Sequence, residues 1–170
     1  MSQGTAVKAA KPLLIAVAAL ALLGALAYAL MDRPRAPVST FTTLDGRTIT
    51  LEQMQGKMVL VNFWATSCPG CVKEMPHLIE TYNHYRDKGF EVVAVAMSYD
   101  PPNYVANFVQ TRQLPFPVAL DVDGSHARAF GDVQLTPTSF LIGKDGHILE
   151  QTLGEIDFDK LQAQLDKALS

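Results

Sequence analysis

The chain has 170 residues, enough for one ordinary domain and an appendage but not for two full cores. Its composition, 48% hydrophobic and 18% charged with a formal net charge of −3, is globular and excludes disordered and fibrous classes. Residues 37–170 carry ten basic and sixteen acidic side chains, and such an acidic domain lacks the positive surface that nucleic-acid binding requires.

The N-terminal region contains nineteen consecutive residues without a charge, Leu13–Met31. A helix of that length, at about 1.5 Å per residue, spans roughly 28 Å, which is about the thickness of a membrane's hydrocarbon core. We therefore predict four segments: a polar N-terminal segment at 1–12, a transmembrane anchor or uncleaved signal at 13–31, a linker at 32–40 and a folded domain at 41–170.

A cleaved signal peptide is the alternative to the anchor, because Ala25-Leu26-Ala27 supplies small residues at the spacing of a cleavage site. The anchor is favoured because the apolar run continues as far as the charged residues Asp32 and Arg33. A buried core helix is disfavoured because the run is apolar on all sides. Lys and Arg are equally numerous on the two sides of the run, so the orientation has to be inferred from the chemistry of the domain.

The rest of the chain alternates between strand and helix patterns. In chain order these predict a β-hairpin at 41–51, a buried strand at 58–64, a helix ending at Lys88-Gly89, a strand at 91–97, a helix capped by Asp100, a strand at 116–120, a short helix at 125–130, a hairpin at 139–153 and a last helix capped by Asp157. Strands that alternate with helices, followed by a closing hairpin and helix, predict a three-layer α/β domain.

The two cysteines, Cys68 and Cys71, stand together at a predicted strand-to-helix junction. Two thiols cannot form a disulfide scaffold, a zinc ribbon needs a second pair, and a c-type haem site needs His where Val72 stands. A dithiol that can close on itself remains, and we predict neither a metal nor a cofactor. The start of a helix favours a thiolate, so Cys68 is the candidate nucleophile and Cys71, one turn further, is the candidate resolving thiol.

Two segments around this dithiol resemble a known family. Residues 63–76, FWATSCPGCVKEMP, resemble the active-site segment of membrane-anchored thioredoxin-like proteins of the TlpA, ResA and CcmG group. Residues 135–142, LTPTSFLI, resemble the loop in which that family holds a cis-proline beside its dithiol. The resemblance covers roughly residues 38–170 and implies a thioredoxin fold of three α/β/α layers with an N-terminal β-hairpin and a central αβ insertion.

The resemblance also implies roles for residues beyond the cysteines. Glu74 would be the acidic group near the dithiol, and Pro137 would be the cis-proline. On the residues alone, Glu74 lies three positions after Cys71 on the same helical face, where a partly buried carboxylate could move the proton of the resolving thiol. The alternative is a solvated Glu in the first helical turn. A cis-proline would let Thr136 present backbone polar groups to an extended substrate, and we expect Trp64 to form a wall of the site.

Two positions depart from the patterns of related proteins. Ser67 stands where the family usually has an aromatic residue before the first cysteine, so one wall of the substrate groove is expected to be smaller or more polar. Asn62 stands where thioredoxin has a buried Asp, and an amide cannot titrate. Glu74 is therefore the candidate acid.

The histidines are not predicted to bind metal. His77 and His84 share a helical face with Thr81 and Lys88, opposite the apolar stripe, so we expect a solvated face rather than a metal pair. The other two histidines, His126 and His147, have no obvious partner.

We predict a protein thiol–disulfide oxidoreductase that reduces the disulfides of protein substrates, with apocytochrome c as one substrate that the resemblance implies. The resemblance further implies a single-pass protein of the inner (cytoplasmic) membrane, with its domain facing the periplasm or an equivalent space, and a membrane protein that donates electrons to it. A disulfide oxidase of the same fold is the alternative. A copper-binding chaperone is less favoured, because such proteins place three residues between their cysteines and add a distal His. A thiol peroxidase is disfavoured by Val61 and Ala65, which stand where its motif has Pro and Thr.

Overall fold

The computed structural model describes residues 15–24, 26 and 33–170, in two units that comprise residues 1–34 and 35–170. In the first unit, residues 15–24 and 26 are helical. Within the described residues, no helix has both the length and the apolar character needed to cross a membrane. The predicted polar segment at 1–12 lies outside the described residues, and the predicted anchor at 13–31 lies partly outside them. Both remain predictions.

The second unit is built on a five-stranded sheet with the strand order β5-β4-β3-β6-β7. Its elements are β1 (Thr40–Thr42), β2 (Thr48–Thr50), a 3₁₀ turn (Glu52–Met54), β3 (Met58–Trp64), α1 (Pro69–Tyr85), a 3₁₀ turn (Arg86–Lys88), β4 (Phe90–Ala96), α2 (Pro102–Arg112), β5 (Val118–Leu120), α3 (Ser125–Ala129), β6 (Thr138–Ile142), β7 (Ile148–Leu153) and α4 (Phe158–Leu169). Strands β3, β4 and β5 are parallel, β6 and β7 are antiparallel to their neighbours, and β1 and β2 form a separate hairpin.

The sheet separates two hydrophobic cores, because successive side chains of a strand point to opposite faces. Leu60 of β3 belongs to the core that packs against α1, α2 and α4. Its neighbour Val61 belongs to the other core, which is closed by Phe41 of the hairpin and by Ala127 of α3. The central strands are buried on both faces, which explains their continuous apolar sequences.

The dithiol lies at the start of α1, where β3 ends. Cys68 is the N-cap of α1 in an extended conformation, and Pro69 occupies the first helical position, where a missing N–H removes no hydrogen bond. The helix is followed by the 3₁₀ turn and by Gly89, whose positive φ of 102° favours glycine. The predicted end of this helical region at Lys88-Gly89 is confirmed.

Two local predictions are wrong because tertiary contacts override them. Asp100 does not cap α2, which begins after Pro101 without a side-chain cap, because the Asp100 carboxylate binds Thr66 instead. Thr81 does not lie on a solvated face: it is buried, and its hydroxyl lies 3.5 Å from Nε2 of Gln162 in α4. Helix α4 covers this part of α1, whereas His77 and His84 are exposed as expected.

Candidate active site

The two cysteines form a disulfide with a Cα–Cα distance of 5.3 Å. Cys71 is completely buried, whereas Cys68 is only partly buried. The backbone N–H of Cys71 donates a hydrogen bond of 3.2 Å to Sγ of Cys68. Sγ of Cys68 is therefore the accessible sulfur, and this N–H would stabilise it as a thiolate once the disulfide is reduced.

Asp100 anchors the loop that precedes Cys68. Its two carboxylate oxygens accept hydrogen bonds from the backbone N–H and from the hydroxyl of Thr66, each at 2.6 Å. Asp100 is buried and comes from the segment between β4 and α2. The approach to the dithiol is therefore held by a contact between residues 34 positions apart.

We expect Asp100→Asn to lower the free energy of unfolding by about 1.5–3 kcal/mol, the usual range for a hydrogen bond to a charged group. The amide carries no charge and presents an NH₂ group in place of one carboxylate oxygen, so the two hydrogen bonds donated by Thr66 cannot both be kept. Urea denaturation of the variant and the parent protein measures the change. Thr66→Ser is the matched control, because it keeps both donors. An Asp100→Asn variant as stable as this control would contradict the anchoring role.

The loop before β6 brings Pro137 against the dithiol turn. The Thr136–Pro137 peptide bond is cis. A Cβ atom at Gly70 would lie 3.6 Å from Cδ of Pro137 and 3.4 Å from Cγ of Glu155, so both residues border the turn between the cysteines. Pro137 is buried and Thr136 is partly exposed, which leaves Thr136 at the surface beside the dithiol.

Exposed apolar side chains surround this surface. The Tyr99 hydroxyl lies 3.2 Å from Oγ1 of Thr136. Tyr99, Leu135 and Leu153 are all exposed, and Leu153 pairs with Thr138, next to Pro137. Sequence reasoning missed Tyr99, because it follows a different strand and no motif marks it. This tyrosine supplies an aromatic side chain beside a site that has Ser67 before its first cysteine.

Glu74 is buried, with only 2% of its surface exposed. Its Oε1 accepts a hydrogen bond from Nδ2 of Asn62 (3.0 Å), and its Oε2 accepts one from the backbone N–H of Ile156 (3.1 Å). The alternative of a solvated Glu74 is wrong, because this face of α1 packs onto β3 and the segment that leads into α4.

The surroundings of Glu74 raise the pKa of its carboxyl group. Burial is the largest cause, and the negative charge of Glu155 adds to it, while the hydrogen bonds from Ile156 and Asn62 act in the opposite direction. Sequence reasoning also missed Glu155, which forms an exposed ion pair of 2.8 Å with Lys73. A carboxyl group with a raised pKa can hold a proton nearer to neutral pH, as proton transfer requires.

Trp64 lies beneath the site instead of lining its surface. Its side chain has no exposed area, and its ring packs 5.1 Å from the ring of Phe108 in α2. The prediction that Trp64 forms a wall of the substrate site is therefore corrected: α2 covers this residue, which supports the dithiol from within the core.

The remaining histidines have structural neighbours. The rings of His126 and Phe41 are 4.6 Å apart, and Nδ1 of His147 lies 3.2 Å from a carboxylate oxygen of Asp145. In the part of the chain that the structure describes, no group of three or more His, Cys, Asp or Glu side chains could hold a metal ion.

Comparison with known proteins identifies similar sequences and structures. The Redoxin family matches residues 32–168. The thiol-disulfide oxidoreductase ResA of Bacillus thuringiensis subsp. konkukian (strain 97-27) is 41% identical over 132 residues, which are 78% of this chain and 75% of the relative.

Two solved structures are similar along most of their length. The solution structure of a proposed thioredoxin from Neisseria meningitidis has 47% identity and a TM-score of 0.74, covering 81% of this chain and 91% of that one. The crystal structure of a proposed thiol:disulfide interchange protein DsbE from Chlorobium tepidum has 32% identity and a TM-score of 0.72, covering 82% and 99%. These comparisons confirm the thioredoxin-like α/β fold and the predicted family resemblance.

Proposed function

We propose that this protein reduces the disulfides of proteins outside the cytoplasm, since the chain belongs to the Redoxin family and is a thiol–disulfide oxidoreductase. The observation that carries the reducing direction is the buried carboxylate of Glu74, one helical turn after Cys71. A negative charge near a dithiol disfavours its thiolate forms. A dithiol whose thiolate is not stabilised gives up its electrons readily. Strongly oxidising pairs are the opposite case, because their reduced form is stabilised.

In the proposed reaction, the Cys68 thiolate attacks one sulfur of a substrate disulfide. The substrate S–S bond breaks, one substrate sulfur leaves as a thiolate, and a mixed disulfide forms. Cys71 then transfers its proton to Glu74 and attacks Sγ of Cys68. The second substrate sulfur leaves as a thiolate and takes up a proton, and the Cys68–Cys71 disulfide of this structure forms. Two electrons pass to the substrate in each cycle.

The surface around Thr136 suits a protein substrate better than a small disulfide. Thr136, beside the cis-proline, would pair with the backbone of an extended segment, as an exposed strand edge does. The exposed side chains of Tyr99 and Leu135 offer apolar contacts beside it. The extended cysteine pair of apocytochrome c is one substrate of this kind.

The proposed location and electron supply follow from the uncharged run and from the chemistry. Residues 13–31 would anchor the domain to the inner membrane, with the dithiol on the extracytoplasmic side. Each cycle leaves the protein oxidised in an oxidising compartment, so a membrane protein that donates electrons from the cytosolic side has to reduce it again.

Thiol labelling in cells tests this proposal. A membrane-impermeant, mass-tagged maleimide should label Cys68 in spheroplasts without prior reduction, because labelling requires a dithiol that is both outside the cytoplasm and reduced. The variant with both cysteines replaced by Ser gives the background. Labelling only after a reductant is added would indicate the oxidase alternative, and labelling only after lysis would contradict the location. A mature chain that lacks residues 1 to about 30 would contradict the anchor.

A further inference from the structure

The amide of Asn62 lies between Glu74 and Ser139 in the core. Nδ2 of Asn62 donates one hydrogen bond to Oε1 of Glu74 (3.0 Å) and another to Oγ of Ser139 (2.9 Å). All three residues are at least 98% buried. Within the described residues, Oδ1 of Asn62 has no hydrogen-bond partner. This arrangement therefore fits a charged Glu74, which only accepts hydrogen bonds.

A protonated Glu74 needs an acceptor for its O–H group. Oε2 faces the backbone N–H of Ile156, which can only donate, so the proton has to reside on Oε1. Oε1 faces Nδ2 of Asn62, which is also a donor. In the observed orientation of the amide, the O–H group of a protonated Glu74 would face the N–H donor of Asn62. A buried donor without an acceptor costs free energy.

A 180° turn of the Asn62 amide removes this conflict. The turn about the Cβ–Cγ bond exchanges Oδ1 and Nδ2, which occupy nearly the same volume, and this torsion is broad and roughly two-fold. Oδ1 would then accept from Glu74 and from the Ser139 hydroxyl, which accepts in one orientation and donates in the other. Each orientation leaves one amide atom of Asn62 unpaired, Oδ1 in the observed orientation and Nδ2 in the turned one.

We propose that Asn62 and Ser139 are positioning residues that keep Glu74 hydrogen-bonded in both of its protonation states, through a turn of the Asn62 amide and a reversal of the Ser139 hydroxyl. The relevance to catalysis rests on the proposed function, in which Glu74 takes the proton of Cys71. Without the turn, proton uptake by Glu74 would leave a buried donor unpaired at the resolving step.

The network also reaches a solvent-accessible pocket. Ser139 and Ile156 line a pocket of about 170 Å³ between the sheet and α4. Other charged groups surround the network: Lys73 of α1 pairs with Glu155, and the pocket wall includes Glu150, Glu155, Asp157 and Lys160. This pocket provides room for water next to the partners of Glu74 while a protein substrate covers the dithiol.

Nuclear magnetic resonance of the full chain, labelled with ¹⁵N and ¹³C, tests the proposal in the oxidised form, in which the cysteines do not titrate. The ¹³C shift of the Glu74 carboxyl group gives the midpoint of its titration. We expect the side-chain NH₂ signals of Asn62 to shift with the same midpoint, and their contacts with the β-protons of Ser139 to be present above the midpoint and lost below it. Contacts that persist both above and below the midpoint would show that the Asn62 amide does not turn and would contradict the proposal.

Three variants sharpen this test. Glu74→Gln presents a fixed donor to Asn62 and a fixed acceptor to Ile156, so the turned pattern should be present at every pH. Ser139→Thr keeps the hydroxyl and should preserve the pH-dependent change, whereas Ser139→Ala removes a partner that both orientations of the Asn62 amide use and should shift the midpoint of the titration. A Ser139→Ala variant that behaves like the parent would contradict the role of Ser139. None of these readouts uses substrate, so they are independent of whether the protein proves to be a reductase in cells.

Discussion

Cys68→Ser should reduce disulfide exchange by more than about a thousandfold, whereas Cys71→Ser should leave the first attack intact and trap mixed disulfides with protein substrates. A serine hydroxyl is not ionised at neutral pH and cannot replace the thiolate. The reason for the difference between the two positions is structural. Cys68 is partly exposed and its Sγ accepts a hydrogen bond from the N–H of Cys71, while Cys71 is completely buried.

Two measurements check the assignment of the cysteines. Alkylation of the reduced protein at neutral pH, followed by mass spectrometry, should modify Cys68 much faster than Cys71. Non-reducing electrophoresis of the Cys71→Ser variant should show covalent complexes that a reductant removes. Faster modification of Cys71, or complexes formed by Cys68→Ser instead, would reverse the two roles.

Glu74→Gln should slow the resolving step by about a hundredfold or more, since general acid–base groups typically contribute 10²–10⁴-fold. Gln has nearly the size and helix propensity of Glu but cannot take up the proton of Cys71. The pH profile of disulfide reduction should change in high salt as well as in low salt, because salt screens a buried charge only weakly. Stopped-flow measurement of mixed-disulfide decay at several pH values measures the effect.

Glu80→Gln is the matched control for this variant, because Glu80 is an exposed glutamate of the same helix. It should leave the pH profile unchanged in high salt. A helix-terminus effect on a solvated Glu74 would amount to only about 0.3–1 kcal/mol and would disappear in salt. If the profiles of Glu74→Gln and Glu80→Gln coincided at both salt concentrations, Glu74 would have no part in proton transfer.

The raised pKa of Glu74 has a consequence for stability as well. The folded state takes up this proton at a higher pH than the unfolded state, whose carboxyl pKa is about 4.3. The contribution of Glu74 to the free energy of unfolding is therefore most favourable below that value, and it decreases as the pH rises through the raised folded pKa. Glu74→Gln should lack this decrease, and urea denaturation across the same pH range measures it.

The family, the fold class and the place of the dithiol could all be predicted from the amino-acid sequence. These features depend on short stretches of chain: apolar runs of strand length, the Cys68–Cys71 spacing and the proline at the first position of α1. Periodicity and helix-start chemistry act over a few residues, so they can be recognised without knowing what packs against them.

Only the tertiary structure decided the environment of the side chains around the dithiol. Glu74 is buried and accepts a hydrogen bond from Ile156, 82 positions later, and Asp100 anchors Thr66 instead of capping its own helix. The contact of Tyr99 with Thr136 joins the loop that follows β4 to the loop that precedes β6. Sequence pattern indicates that a face is apolar or polar, but not which distant segment covers it. The burial that raises the pKa of Glu74 therefore follows from the packing of β3, α1 and the start of α4, and no local motif specifies it.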